Sequence, residues 1–191
     1  MAGGRGTRLG GVAKGLLTVG GDTIAARSVR LFRSLFADVV VVANDPAPYA
    51  SLDARIEPDR VPGKGAPGGL HAALVTARAP WVFTAGCDMP FLSAAPIELL
   101  LALRREGELA VVPVWRGVAQ PLHAVWSRAA LPLVEELLAR GDPSLQQIVR
   151  AAGARLVPED EWARVDPAGR ALENANTPAD LARLGLAPPG P

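Results

Sequence analysis

The chain has little of what most sites are built from. It holds one cysteine, Cys87, in 191 residues, so it can close no disulfide on itself. That suits a reducing compartment, and a cytoplasmic location is expected. It has two histidines, His71 and His123, far apart and remote from Cys87, which excludes a zinc site from these residue types. Lysine is nearly absent: Lys14 and Lys64 stand against eighteen arginines. No apolar run reaches the roughly 18 residues that suggest a membrane span. No basic segment followed by an apolar stretch opens the chain, so no secretory leader is expected. The formal net charge is only +1, which gives no broad electrostatic reason to bind nucleic acid or an acidic membrane. Any anion must be met by a local site. Repeats and low-complexity linkers are missing as well.

What is present is globular. Apolar residues make up 49% and charged residues 20%, enough to build one full-sized core. A single domain is expected over 1–184, with a frayed tail over 185–191 that includes "LAPPGP". Thr23 to Phe36 reads as a helix, with Ile24, Leu31 and Leu35 on one side and Arg27, Arg30 and Arg33 on the other; Asp22 or Thr23 supplies the cap. "DVVVVA" (38–43), "WVFTA" (81–85) and "LAVVPV" (109–114) read as strands buried on both faces. "GGLHAALVTA" reads as a glycine-entered helix, and further helices are expected from Pro96 to about Arg105, over 129–140 and over 144–152. "WRGVAQ" turning into "PLHAVW" looks like a hairpin or an excursion beside the sheet. Short strands are expected at "ARLVP" and "ALEN", then a last helix from Pro178 capped by Thr177. Strands alternating with helices predict an α/β doubly wound sheet, whose ligands bind beyond the carboxyl ends of the strands.

Two stretches carry chemistry. "CDMPFL" (87–92) places Asp88 just past a buried strand. A carboxylate there suits Mg²⁺, which takes one or two carboxylates and shares its other positions with water and phosphate oxygens. The alternative is that Asp88 only caps the turn before Pro90. "MAGGRGTRLGGVAKG" combines Gly3, Gly4, Gly6, Gly10 and Gly11 with Arg5, Arg8 and Lys14. Glycines let backbone N–H groups approach an anion, and a lysine kept amid so many arginines suggests a need for a compact point charge. The common phosphate motifs fail here. A P-loop needs Ser or Thr after the lysine, and Gly15 stands there; a dinucleotide fingerprint starting at Gly4 would need glycine where Leu9 is. The stretch is a phosphate loop of another type, or a flexible turn. Cys87 has no base beside it in sequence and reads as a buried thiol.

Taken together and in order, "AGGRGTRLGGVAKGLLTVGG", "PGKGAPGGLHAAL", "CDMPFL", "QPLHA" and "NANTPADL" resemble the molybdenum cofactor guanylyltransferase family, from Met1 to about Leu184. The resemblance implies a three-layer, Rossmann-like nucleotidyltransferase fold with a mostly parallel sheet. It implies transfer of GMP from Mg-GTP to the terminal phosphate of molybdenum-bound molybdopterin, with release of pyrophosphate. Carried over by position, Ala2, Gly3 and Gly4 lie against the nucleotide, and Lys14, with Arg8 adding charge, serves the triphosphate. Asn44 and Asp59 hold the guanosine, Asp88 binds Mg²⁺, and Asn174 and Asn176 face the metal or the second substrate. Gly3 and Gly4 match the form common in guanine users. His123 either lines the pterin site or is structural, and Trp115 beside Arg116 is a candidate to stack on the pterin. Leu9 for the usual methionine and Ala66-Pro67-Gly68 for the usual Pro-Leu-Ala are departures. A monomer or weak oligomer is expected, with handover of product to a molybdoenzyme or chaperone. The family also places an apolar first strand before Ala-Gly-Gly, where this sequence has only Met1. An upstream start supplying that central strand is therefore expected.

Overall fold

The computed structural model describes Met1 and residues 13–188. After a 3₁₀ turn at Lys14–Leu16, β1 (Thr18–Val19) and β2 (Asp22–Thr23) form a small antiparallel hairpin. Its corner is Gly20-Gly21, both at positive φ (59° and 88°), a conformation that glycine adopts without steric cost. Thr23 then caps α1 (Ile24–Leu35), its hydroxyl oxygen accepting the Ala26 N–H at 3.1 Å. β3 (Val40–Val42) pairs in parallel with β4 (Arg55–Glu57), and α2 (Gly65–Thr76) leads to β5 (Trp81–Ala85). There follow α3 (Ala94–Ala102), β6 (Ala110–Trp115), β7 (Val118–Ala119) and β8 (His123–Ser127). The chain ends with α4 (Leu131–Arg140), α5 (Leu145–Ala151), β9 (Arg155–Val157), α6 (Glu159–Trp162) and α7 (Pro178–Leu184).

The main sheet runs β5-β8-β6, with β9 on the other edge of β6 and β7 folded back on its end. β5, β6 and β9 share one direction, and β8 opposes them. The side chains sort into three layers. Ala110, Val112, Ala124 and Trp126 face Leu70, Leu74, Val134 and Ile148 of α2, α4 and α5. Val111 and Val125 face the opposite way, onto Leu100 of α3, Phe32 of α1 and Trp162 of α6. The strands read as unbroken apolar runs because both faces are covered. This is the α/β, doubly wound, mostly parallel architecture expected from the sequence.

Three expectations need correction. The turn at "WRGVAQ" is the hairpin that the sequence offered, β7 and β8 both running antiparallel to β6, but "PLHAVW" is no excursion beside the sheet: residues 123–127 form β8, inserted between β5 and β6. Four successive residues, His123 to Trp126, are fully buried, so this segment needs a neighbour on each edge and each face. "ALEN" is not a strand. A left-handed Gly169 (φ 64°) starts a 3₁₀ turn at Arg170–Leu172. The segment expected to fray from residue 185 is held as far as Ala187. Leu186 is buried, and Ala187 exchanges two backbone hydrogen bonds with Thr18, at 2.8 and 3.0 Å.

Candidate active site

β5 ends at Ala85, and the turn that follows delivers Cys87 and Asp88. Asp88 does not cap its own turn. Its Oδ2 accepts a hydrogen bond from Lys14 Nζ at 3.0 Å, across 74 residues of sequence. Lys14 Nζ also donates to Asn176 Oδ1 at 2.5 Å. Lys14 thus sits between a carboxylate and an amide oxygen, with side-chain exposures of 22% for Lys14 and 17% for Asp88. At that depth the ion pair is largely withdrawn from water yet still partly accessible. Gly86 makes room for it: a Cβ there would stand 2.5 Å from Asp88 Oδ1.

Asn176 is placed by α7. Thr177 caps this helix, its hydroxyl accepting the Asp180 N–H at 3.2 Å. Asp180 answers with one carboxylate oxygen, which accepts the N–H of Asn176 at 3.0 Å and of Thr177 at 2.9 Å. These backbone donors, with the Thr177 hydroxyl, hold the Asp180 carboxyl below its usual range; the Asn176 N–H contributes most. One residue earlier, the Ala175 N–H donates to the Asp88 carbonyl at 2.8 Å. The "NAN" segment is therefore fastened both to the Asp88 turn and to the head of α7. Asn174 makes only a local bond, Nδ2 to the Leu172 carbonyl at 3.2 Å, and touches neither Lys14 nor the Asp88 carboxylate through a hydrogen bond.

The structure joins a second pair. Asn44, exposed just past β3, accepts the Asp59 N–H at 2.9 Å. Asp59 Oδ1 accepts the Val61 N–H at 3.0 Å and so shapes the loop into α2. Gly68 is needed beneath it, since a Cβ there would lie 2.8 Å from Asp59 Oδ2. Both residues stand past the carboxyl ends of a parallel pair, β3 and β4, which is where such sheets bind ligands. Ala2, Gly3, Gly4 and Arg8 lie outside the described residues. Lys64 is turned elsewhere: its Nζ meets the Gly141 carbonyl at 2.9 Å and Asp142 at 2.5 Å.

Several bystanders resolve as structural. His123 is fully buried, edge-on to the rings of Phe83 and Trp162. Burial pushes its pKa down to about 3, opposed weakly by the backbone of Ala171. Burial likewise pushes the Cys87 thiol up, which suits an inert thiol. The Trp115 ring lies against Gly169, where a Cβ would come within 2.2 Å of it. Residues the motifs did not single out include Tyr49, buried beneath Gly15, with its hydroxyl pushed up to about 12 by burial. The glycines Gly15, Gly68 and Gly86 carry close approaches of chain to chain. Tyr49 lies 34 residues from Gly15, Asp59 nine from Gly68 and Asp88 two from Gly86, and only the last was near enough to see in the sequence.

Among the described residues no three His, Cys, Asp or Glu side chains cluster as a metal cage. One carboxylate, Asp88, with an amide oxygen nearby and no reactive soft ligand, fits Mg²⁺ carried in by phosphate oxygens; it does not fit a metal held by protein alone.

The model for the MobA-like NTP transferase domain matches residues 1–161. A molybdenum cofactor guanylyltransferase of Desulfosudis oleivorans is 31% identical over 187 residues, covering 98% of this chain and 93% of its own. The protein of that name from Pseudomonas putida is 36% identical over 186 residues, covering 95% and 93%. Among solved structures, molybdopterin-guanine dinucleotide biosynthesis protein A of Archaeoglobus fulgidus superposes with a TM-score of 0.80 at 25% identity, over 95% of this chain and 93% of that one. The 2-C-methyl-D-erythritol 4-phosphate cytidylyltransferase of Thermus thermophilus shares the fold, with a TM-score of 0.66 at 22% identity over 95% and 93%.

Proposed function

The chain belongs to the MobA-like NTP transferase family and is a nucleotidyltransferase of molybdenum cofactor biosynthesis, and we propose that it transfers GMP from Mg-GTP to molybdenum-bound molybdopterin. The single observation behind this reading is the cluster of Lys14, Asp88 and Asn176 beyond the carboxyl end of β5. A terminal phosphate oxygen of molybdopterin attacks the α-phosphorus of GTP. The bond from that phosphorus to the bridging oxygen breaks, and pyrophosphate leaves with the electron pair. Such a transfer needs little covalent help from the protein; it needs alignment and charge compensation.

Lys14 has a double duty. With no nucleotide present it neutralises Asp88. When a triphosphate arrives, the ammonium turns to the phosphate oxygens and frees the Asp88 carboxylate. Asp88 is then the residue to hold Mg²⁺, which would supply positive charge to the phosphates. Asn176 keeps Lys14 aimed during the exchange, and Asn174 serves the metal or the second substrate. Asn44 and Asp59 hold the guanosine, while Ala2, Gly3, Gly4 and Arg8 belong to the phosphate loop. The product goes on to a molybdoenzyme or its chaperone.

The test is to incubate the full chain with Mg²⁺, molybdenum-bound molybdopterin and α-labelled GTP or CTP, following both the labelled dinucleotide and pyrophosphate. GMP transfer at least tenfold faster than CMP transfer is expected. A preference for CTP, or no transfer with either, would overturn the reading.

A further inference from the structure

Lys64 is one of two lysines among twenty basic residues, and it stands apart from the cluster of Lys14, Asp88 and Asn176. It lies in the loop from β4 to α2, between Gly63 (φ 82°) and Gly65 (φ 59°). A Cβ at either glycine would meet no atom within 4 Å, so backbone conformation, not crowding, calls for glycine there. A corner with a glycine on each side has many conformations to lose on folding, and some contact has to hold it. The backbone supplies only a long bond at this point, from the Lys64 N–H to the Val61 carbonyl at 3.4 Å.

The side chain supplies the rest. Lys64 Nζ donates to the Gly141 carbonyl at 2.9 Å and to Asp142 Oδ1 at 2.5 Å, both just past the end of α4. The direction of reach has an electrostatic reason. Lys64 stands at the amino end of α2, which disfavours a cation, while the carboxyl end of α4 favours one. The seat is firm, because Pro143 follows Asp142 and Ser144 caps α5 in a reciprocal box with Gln147. Side-chain exposure is 26% for Lys64 and 85% for Asp142, so the lysine is mostly covered while its partner stands in solvent.

The same loop carries Asp59. Its N–H is held by Asn44, its Oδ1 accepts the Val61 N–H, and Gly68 in the first turns of α2 lies close beneath its Oδ2. The segment from Asp59 to Gly68 is thus fastened to the end of β3 through Asn44 and to the end of α4 through Lys64. A shift of the Gly63–Gly65 corner would carry the start of α2 with it and move the floor under the Asp59 carboxylate. We propose that Lys64 is a positioning residue for nucleobase selection, a latch onto α4 that fixes loop 59–65 so that Asn44 and Asp59 meet the base in one arrangement. The inference rests on the reading of Asn44 and Asp59 as the pair that holds guanosine. Lys64 itself acts through the loop and touches no part of the nucleotide.

The experiment compares the full chain with Lys64→Met, which keeps the stem without the charge, and Asp142→Lys, which repels the ammonium from its seat. Dissociation constants for Mg-GTP and Mg-CTP, kcat and KM for GMP transfer, Tm, and amide exchange at Asp59 and Val61 are measured on each. Both variants are expected to weaken Mg-GTP binding and raise KM for GTP about tenfold, with kcat falling less than about threefold. Mg-CTP binding is expected to change less than about twofold, so the preference for guanine narrows. Exchange at Asp59 and Val61 should quicken about tenfold as the loop loosens, with Tm little changed. If Lys64→Met weakens GTP binding while Asp142→Lys matches the parent, Lys64 meets the nucleotide directly and the latch is wrong. Parent-like affinity and exchange in both variants, with the parent still preferring GTP, would overturn the latch and leave the guanylyl reading standing. So would equal losses for GTP and CTP accompanied by a large fall in Tm, which would mean general loosening. A parent chain that prefers CTP, or binds neither nucleotide, would overturn that reading and the latch with it.

Discussion

Lys14 makes two of the site's contacts with one nitrogen atom, so its substitution separates charge from geometry. Lys14→Ala leaves the half-buried Asp88 carboxylate without a cation and the triphosphate without a point charge. Hydrogen bonds to charged groups are worth about 1.5–3 kcal/mol, which corresponds to a loss of roughly 10- to 100-fold in nucleotidyl transfer. Lys14→Arg is expected to recover only part of this, because a planar fork cannot place one donor between Asp88 Oδ2 and Asn176 Oδ1 as an ammonium does. Steady-state GMP transfer decides it, and full activity in Lys14→Ala would remove this residue from the site. Gly86→Ala probes the same carboxylate from the other side. The new Cβ would fall 2.5 Å from Asp88 Oδ1, the far end of a side chain that can swing away. The expected outcome is therefore a small change in Tm with transfer reduced tenfold or more, since the carboxylate moves off its position. A variant that keeps both its Tm and its turnover would show that the Asp88 rotamer seen here is not the working one.

At the scale of elements, α7 acts as a bracket for the site. Its capping box is reciprocal, Thr177 to the Asp180 N–H and Asp180 back to the N–H groups of Asn176 and Thr177. Asp180→Ala is expected to cost about 1 kcal/mol of stability. Because Asn176 loses its tether, transfer should fall further than that stability loss explains, and Asp180→Asn should recover part of both. Thermal melts and transfer rates on the two variants test this; a Tm loss with unchanged kcat/KM would make α7 a purely structural helix. The cap itself was legible in "NTPAD", because capping is local chemistry within four residues. Strands covered on both faces were legible for the same reason in "WVFTA" and "LAVVPV". β8 was not: "PLHAVW" begins after a tight hairpin and carries a histidine, features that read as surface. Its burial depends on Phe83 and Trp162, which approach from elements 40 and 39 residues away. Asn174 and Asn176 were equal in the sequence. The structure separates them, since the residue adjoining the cap turns its amide oxygen to Lys14 while the other bonds to its own loop.

For the molecule as a whole, His123 ties stability to pH. It sits in β8 at the middle of the sheet, and Trp162 of α6 closes over it, so its protonation has to be reckoned against global unfolding. Neutral in the fold with a pKa of about 3, it would titrate near 6.5 in the unfolded chain. The depressed value means that the unfolded state binds the proton first as the medium is acidified. Its contribution is fully present above about pH 6.5 and is lost progressively as pH falls toward 3. Between pH 7 and pH 5 the loss is about 2 kcal/mol, or roughly 4–8 °C in Tm for a chain of this length. The Met1 amine, lowered by burial, acts in the same direction, so the wild-type slope alone does not isolate the histidine. The difference between wild type and His123→Leu does: the variant keeps an apolar body between Phe83 and Trp162 but has nothing to protonate. Melts at pH 5, 6 and 7 should show a shallower fall for His123→Leu by about the amount above. Parallel curves for the two proteins would mean that the imidazole stays neutral, or gains solvent, in both states, and that the acid sensitivity of the fold lies elsewhere.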